Sequence, residues 1–179
     1  MPNDKKKYVM TAVVLASIGA GSGLLIAGAN LLTASIIEQN EINRTNKGLQ
    51  EIFANATFEK QEDEKLGNTQ YLVSYYLAKD GESTLGYVFQ TNGNNMYGNI
   101  AMLVGLVYNS AVSNYESKSI YLVNNTQTYA TEVVENYVNP FNAGENPDVK
   151  CGATYAARLI KAMVDESVSF ANENLKEGN

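Results

Sequence analysis

Hydrophobic and polar positions change period three times along this chain. From Tyr8 to Ile37 no charged side chain occurs. As a helix rising 1.5 Å per residue, that run of about 30 residues outreaches the roughly 30 Å hydrocarbon layer of a bilayer. A transmembrane anchor is expected over 8–37, after a short tail over 1–7. Between Glu38 and Phe53 the apolar residues Ile42, Leu49, Ile52 and Phe53 recur at roughly helical intervals. The anchor is therefore predicted to continue as a juxtamembrane helix, with Gly48 counting against it. Glu59–Lys65 is a charge run and reads as a solvated loop, closing a juxtamembrane segment over 38–66.

From Thr69 the period falls to two, with Tyr71, Val73, Tyr75 and Leu77 on one face of a predicted half-buried strand. Asp80-Gly81 signals a turn. Leu85–Thr91 reads as the return strand, Asn92-Gly93-Asn94-Asn95 as a loop, Ile100–Tyr108 as a buried strand and Ser117–Val123 as another. Together they predict an antiparallel meander. Helical spacing then returns over Thr128–Val138, Asn139–Asp148 is a loop with two Pro, and Tyr155–Leu175 places Leu159, Ile160, Met163, Val164 and Val168 along one stripe. The expected fold class is α+β: one N-terminal membrane helix, then an extracytoplasmic domain over 67–179 with an antiparallel sheet and flanking helices. No internal repeat is present.

Composition narrows the chemistry. The 179 residues suffice for one compact domain and an anchor, and 45% are apolar. His is absent, so the usual general base and the commonest transition-metal ligand are both missing. The single Cys151 leaves no internal disulfide and no thiolate cluster built by this chain alone. Redox chemistry here would need an organic cofactor. The net charge is −6, and the first seven residues hold three Lys and one Asp, a net +2 that leaves −8 on the remainder. Such a surface does not favour nucleic acid.

Lys5, Lys6 and Lys7 precede the apolar run while Glu38 and Glu41 follow it. The positive-inside bias then places the N-terminus in the cytoplasm and the domain outside the cell membrane. Ala27-Gly28-Ala29 could serve as a cleavage site, but the apolar run continues through Leu31, Leu32, Ile36 and Ile37, which favours an uncleaved single-pass anchor. Gly19, Gly21, Gly23 and Gly28 among other small residues allow close approach of partner helices.

The stretch Asp148-Val149-Lys150-Cys151-Gly152-Ala153-Thr154 stands just before the last predicted helix. A helix start gathers unsatisfied N–H groups and the positive end of the dipole, worth about 0.3–1 kcal/mol to an anion. A phosphoester on the Thr154 hydroxyl would be well placed there, with Gly152 permitting a tight turn and Ala153 leaving room. The plainer alternative makes Thr154 an N-cap.

Three separated stretches carry a resemblance. Leu31-Leu32-Thr33-Ala34 with Ile37-Glu38-Gln39-Asn40 comes first. Gly86-Tyr87-Val88-Phe89, Asn95-Met96-Tyr97-Gly98 and Met102-Leu103-Val104-Gly105 follow, and Asp148–Thr154 is last. In this order they resemble the FMN-binding domain family, found in the G subunit of the Rnf ferredoxin:NAD oxidoreductase complex and the C subunit of the sodium-translocating NADH:quinone reductase. The resemblance implies FMN esterified to Thr154 by a dedicated flavin transferase. Gly152 and Ala153 would shape the attachment turn, Asp148 would serve transferase recognition, and Tyr97 and Gly98 would line the flavin pocket. It implies an electron-carrier subunit without independent catalysis, working with other membrane subunits of an ion-translocating complex.

Cys151 stands where the family usually has Ser or Thr, and Ala156 and Ala157 stand where it has hydroxyl residues. The family's Glu-Thr-Pro-Gly-Leu-Gly loop has no clear copy; in Asn124-Asn125-Thr126-Gln127-Thr128-Tyr129 only Thr126 matches. Cys151 itself reads better as a small packing residue than as a redox thiol. Two other functions remain open: a free-standing anchored flavoprotein passing electrons to extracellular acceptors, and a non-redox extracytoplasmic binding or scaffold domain.

Overall fold

The computed structural model describes residues 3–175. They divide into two compact units, one ending at Asn43 and one starting at Arg44. The first unit belongs to helix α1, Asn3–Ile52, whose stretch Lys6–Asn30 has a mean hydropathy of 2.0 and is long and apolar enough to cross a membrane. None of that stretch is buried against protein. Its serine and threonine hydroxyls are satisfied internally: Thr11, Ser17 and Ser22 each donate to the carbonyl four residues back, at 3.0, 2.8 and 2.8 Å. Such bonding removes the cost of a polar group where no water is at hand.

The second unit is built on a five-stranded antiparallel sheet in the order β1-β2-β3-β4-β5: Thr57–Gln61, Leu72–Asp80, Ser83–Asn95, Gly98–Asn109 and Asn114–Asn125. After it come α2, Ala130–Val133, a π-helical turn over Val134–Val138, α3, Asn139–Asn142, and α4, Thr154–Asn174. The α+β class with an N-terminal apolar helix is thus present. One face of the sheet receives α4, whose Leu159, Ile160, Met163 and Val164 are buried as the stripe required, with Val168 partly buried. They meet Phe89, Met102, Val104 and Leu106, and Tyr75 stacks on Phe89 with ring centroids 5.1 Å apart. The Glu166 carboxylate accepts from Gln70 N and Tyr71 N at 2.7 and 2.8 Å, fastening α4 to the entry of β2.

The last two turns of α1 and the residue after them lie on the other face, burying Leu49, Ile52 and Phe53 against Ala78, Val88, Leu103 and Val123. Gly48 is a contact point rather than a helix breaker. A Cβ there would collide with Tyr121 and Leu103, and one on Gly105 with Ile52.

Four local readings are corrected, one being that Asn139–Asn142 of the expected Asn139–Asp148 loop form α3. Thr57–Gln61 forms a strand, overlapping the predicted charged loop, because an exposed edge strand needs few apolar residues; Lys79 pairs across it with Glu59 at 2.9 Å. Asn92–Asn95 belong to β3, and the turn falls at Met96-Tyr97. Cross-strand bonds hold this part of the ladder, with the Asn99 amide reaching Gly93 O at 3.2 Å and Asn94 Oδ1 at 2.7 Å. In β2, Val73 is exposed while Leu72, Ser74 and Tyr75 are buried, because a bulge between Leu72 and Ser74 breaks the alternation and helices cover both faces.

The free edge of β5 is met by side chains. Asn142 accepts from Ile120 N and donates to Ile120 O, both at 2.8 Å. Asn172 does the same at Tyr115, at 2.6 and 3.3 Å.

Candidate functional site

A half-open cleft of about 220 Å³ lies at the start of α4, lined by Tyr97, Gln127, Tyr129, Gly152, Ala153, Thr154, Tyr155 and Ala156. The chain reaches it through Gly152, whose φ of +90° is a conformation most side chains avoid. Ala153 is the N-cap residue and has no side-chain acceptor to offer. Thr154 is therefore the first helical residue rather than the cap, and no hydrogen bond among the described residues engages its hydroxyl. The first N–H groups of α4 are likewise without intrahelical partners. Ala156 and Ala157 are buried in the core beneath it, where a methyl packs without a polar atom to satisfy.

The opposite wall comes from the β3–β4 hairpin and the segment after β5. Asn95 Oδ1 accepts from Tyr97 N at 2.8 Å, and its Nδ2 donates to Tyr155 O at 3.3 Å, so one side chain shapes the turn and ties it to α4. The rings of Tyr97 and Tyr155 stand 5.0 Å apart, tilted by 41°. Gly98, at φ +140°, lets the hairpin press against the backbone of Thr126. Thr126 bonds Asn99 through its N–H and its hydroxyl, while Gln127 Nε2 donates to Gly98 O at 2.6 Å and Thr128 N to Tyr97 O at 3.2 Å. Tyr97, Tyr129 and Tyr155 are 36, 51 and 54% exposed and rim the opening.

The structure brings Thr154, Gly152, Ala153 and Tyr97 together. Gly98 and Thr126 stand behind the wall as its fasteners. Asp148 lies apart, lining a separate cleft with Tyr137, Phe141 and Lys161, and its carboxylate accepts from Lys150 N at 3.0 Å in a local turn. Cys151 packs part-buried on the larger core, and its carbonyl accepts from Asn136 Nδ2 at 3.3 Å. Burial pushes the neighbouring Tyr137 hydroxyl above its ordinary pKa, with Asp165 and then Cys151 adding to the rise.

Sequence reasoning missed Asn95, Gln127, Tyr129 and Tyr155 as parts of the site. An Asn two residues before a tight turn's end is a recognisable Asx signal. The other three become neighbours only through pairings distant in sequence. Among the described residues no group of three or more Asp, Glu and Cys is gathered as a metal site would be. No family model matches the chain, and no curated protein matches it either.

Proposed function

We propose that this protein is a membrane-anchored flavoprotein subunit that carries FMN as a phosphoester on Thr154 and relays electrons within a membrane-bound, ion-translocating complex of the Rnf type. The observation that carries the reading is Thr154, half-buried at the first residue of α4 and lining the cleft, its hydroxyl without a hydrogen bond among the described residues. The residues fit such a group. Thr154 supplies the ester oxygen, the uncapped N–H groups of α4 favour the phosphate's negative charge, and Gly152 gives the approach a backbone without a side chain. Tyr97, Tyr129 and Tyr155 offer an aromatic rim to a ring. When bound, a flavin supplies reversible one- and two-electron transfer.

The cleft is below the roughly 300–1,000 Å³ of enclosing ligand sites. A flavin seated there would stand partly outside the cleft, as a relay to a partner subunit requires. In this reading α1 holds the domain on the extracytoplasmic side of the cell membrane, with its lysine-bearing end in the cytoplasm. A C-terminal alkaline phosphatase fusion is then active in intact cells.

Intact-mass measurement of the full chain coexpressed with a flavin transferase tests the attachment. One FMN-sized increment is expected, and it is absent from Thr154→Val. Protein that stays colourless and unmodified beside an active transferase defeats the reading. That outcome would favour a non-redox binding or scaffold domain.

A further inference from the structure

Within the cleft, Gln127 is 5% exposed, yet only half of its amide is used. Nε2 donates to Gly98 O at 2.6 Å, which fixes the orientation of the group. Its carbonyl oxygen has no hydrogen-bond partner among the described residues. The one polar side-chain atom fully shut away without a partner among them is Asn125 Nδ2, so Gln127 Oε1 keeps some exposure, in a residue that lines the cleft. A second hydrogen on Nε2 also remains unassigned, since an amide nitrogen carries two donors. The result is an acceptor beside a donor, held by burial and by the Gly98 bond, under a rim of three tyrosines.

We propose that this cleft is a seat for a flat heteroaromatic ring with an imide edge, with Tyr97 and Tyr155 against the ring and the Gln127 amide paired to its O=C–N–H edge. An amide and an imide edge are complementary donor for acceptor, as glutamine is to the edge of a base. The aromatic rim contributes area and preferred ring contacts. A bound ring that covered Gln127 Oε1 without matching it would strand that acceptor, which costs more than an ordinary hydrogen bond returns. Gln127 thereby selects a ring that carries the N–H over one that does not. The inference rests on the reading that Thr154 bears a flavin, whose isoalloxazine has such an edge.

The full chain coexpressed with flavin transferase provides the test, with three measurements on the adduct. The mass increment reports attachment alone. Emission per flavin reports the tyrosines, because tyrosine in contact with isoalloxazine quenches it: a several-fold loss against free FMN is expected, partly recovered in Tyr97→Leu and Tyr155→Leu. Alkaline titration of the ring N–H, followed in the visible band, reports Gln127. Its midpoint is expected above that of free FMN, because an acceptor favours the protonated form, and it returns toward the free value in Gln127→Met.

An adduct that emits like free FMN overturns the ring seat while leaving the tether intact. A wild-type midpoint equal to that of free FMN removes Gln127 from the proposal even if Gln127→Met does not fold. Absence of any increment in the wild type overturns the tether, and the ring seat with it.

Discussion

The two faces of the sheet are covered by different physical means. On one, α4 lays a stripe of large side chains over Phe89, Met102 and Val104 and removes a broad apolar area from water. On the other, two turns of α1 come close enough that Gly48 and Gly105 have no room for a methyl group. The first face is stabilised by volume present and the second by volume missing. Substitutions that shrink side chains should therefore be felt on the α4 face, and substitutions that add a single carbon on the α1 face.

The largest effect expected is from Ile160→Ala, which empties a fully buried position under α4. A loss of about 2–5 kcal/mol in chemical denaturation is expected; a cost near zero would mean that the stripe does not hold the face. Next is Glu166→Ala, which strips two backbone N–H groups of a charged acceptor. About 1.5–3 kcal/mol should be lost, with hydrogen exchange rising at Gln70 and Tyr71 before the rest of β2.

Gly48→Ala sharpens the contrast most, because its sign is at stake. On an open helix this change gains about 1 kcal/mol, whereas against Tyr121 and Leu103 it should cost about 1–3 kcal/mol through overpacking. A raised melting temperature would refute the close approach.

The smallest effect concerns pH. The neutral Tyr137 hydroxyl is favoured in the fold, chiefly by burial and then by Asp165 and Cys151. Its contribution is intact below the ordinary tyrosine pKa of about 10 and is lost as pH climbs past that value. Tyr137→Phe should flatten part of that alkaline decline, and Tyr75, raised by burial and then by Asp63 and Tyr87, should account for more of it.

The difference between the faces also explains what could be read in advance. The α4 stripe repeats at 3.6 residues, so Leu159, Ile160, Met163 and Val164 announce their own surface. The α1 face depends on residues that are small, and Gly48 reads as a flaw in a helix until Tyr121 is known to lie against it. β1 was hidden by Glu59 and Lys60, because a solvated edge needs no alternation. Asn92–Asn95 have turn composition, yet Asn99 pairs them across the hairpin. At the site, Gly152, Ala153 and Thr154 are contiguous and legible. Gln127, Tyr129 and Asn95 meet them only after the sheet has formed.

The asparagines along β5 carry a consequence for assembly. An outermost strand ordinarily offers a row of amides and carbonyls onto which another molecule can zip. Here the outward groups of Tyr115 and Ile120 are already occupied by Asn172 and Asn142. Lateral growth by ribbon addition is blocked at both places, leaving the protein guarded on that border against templated aggregation.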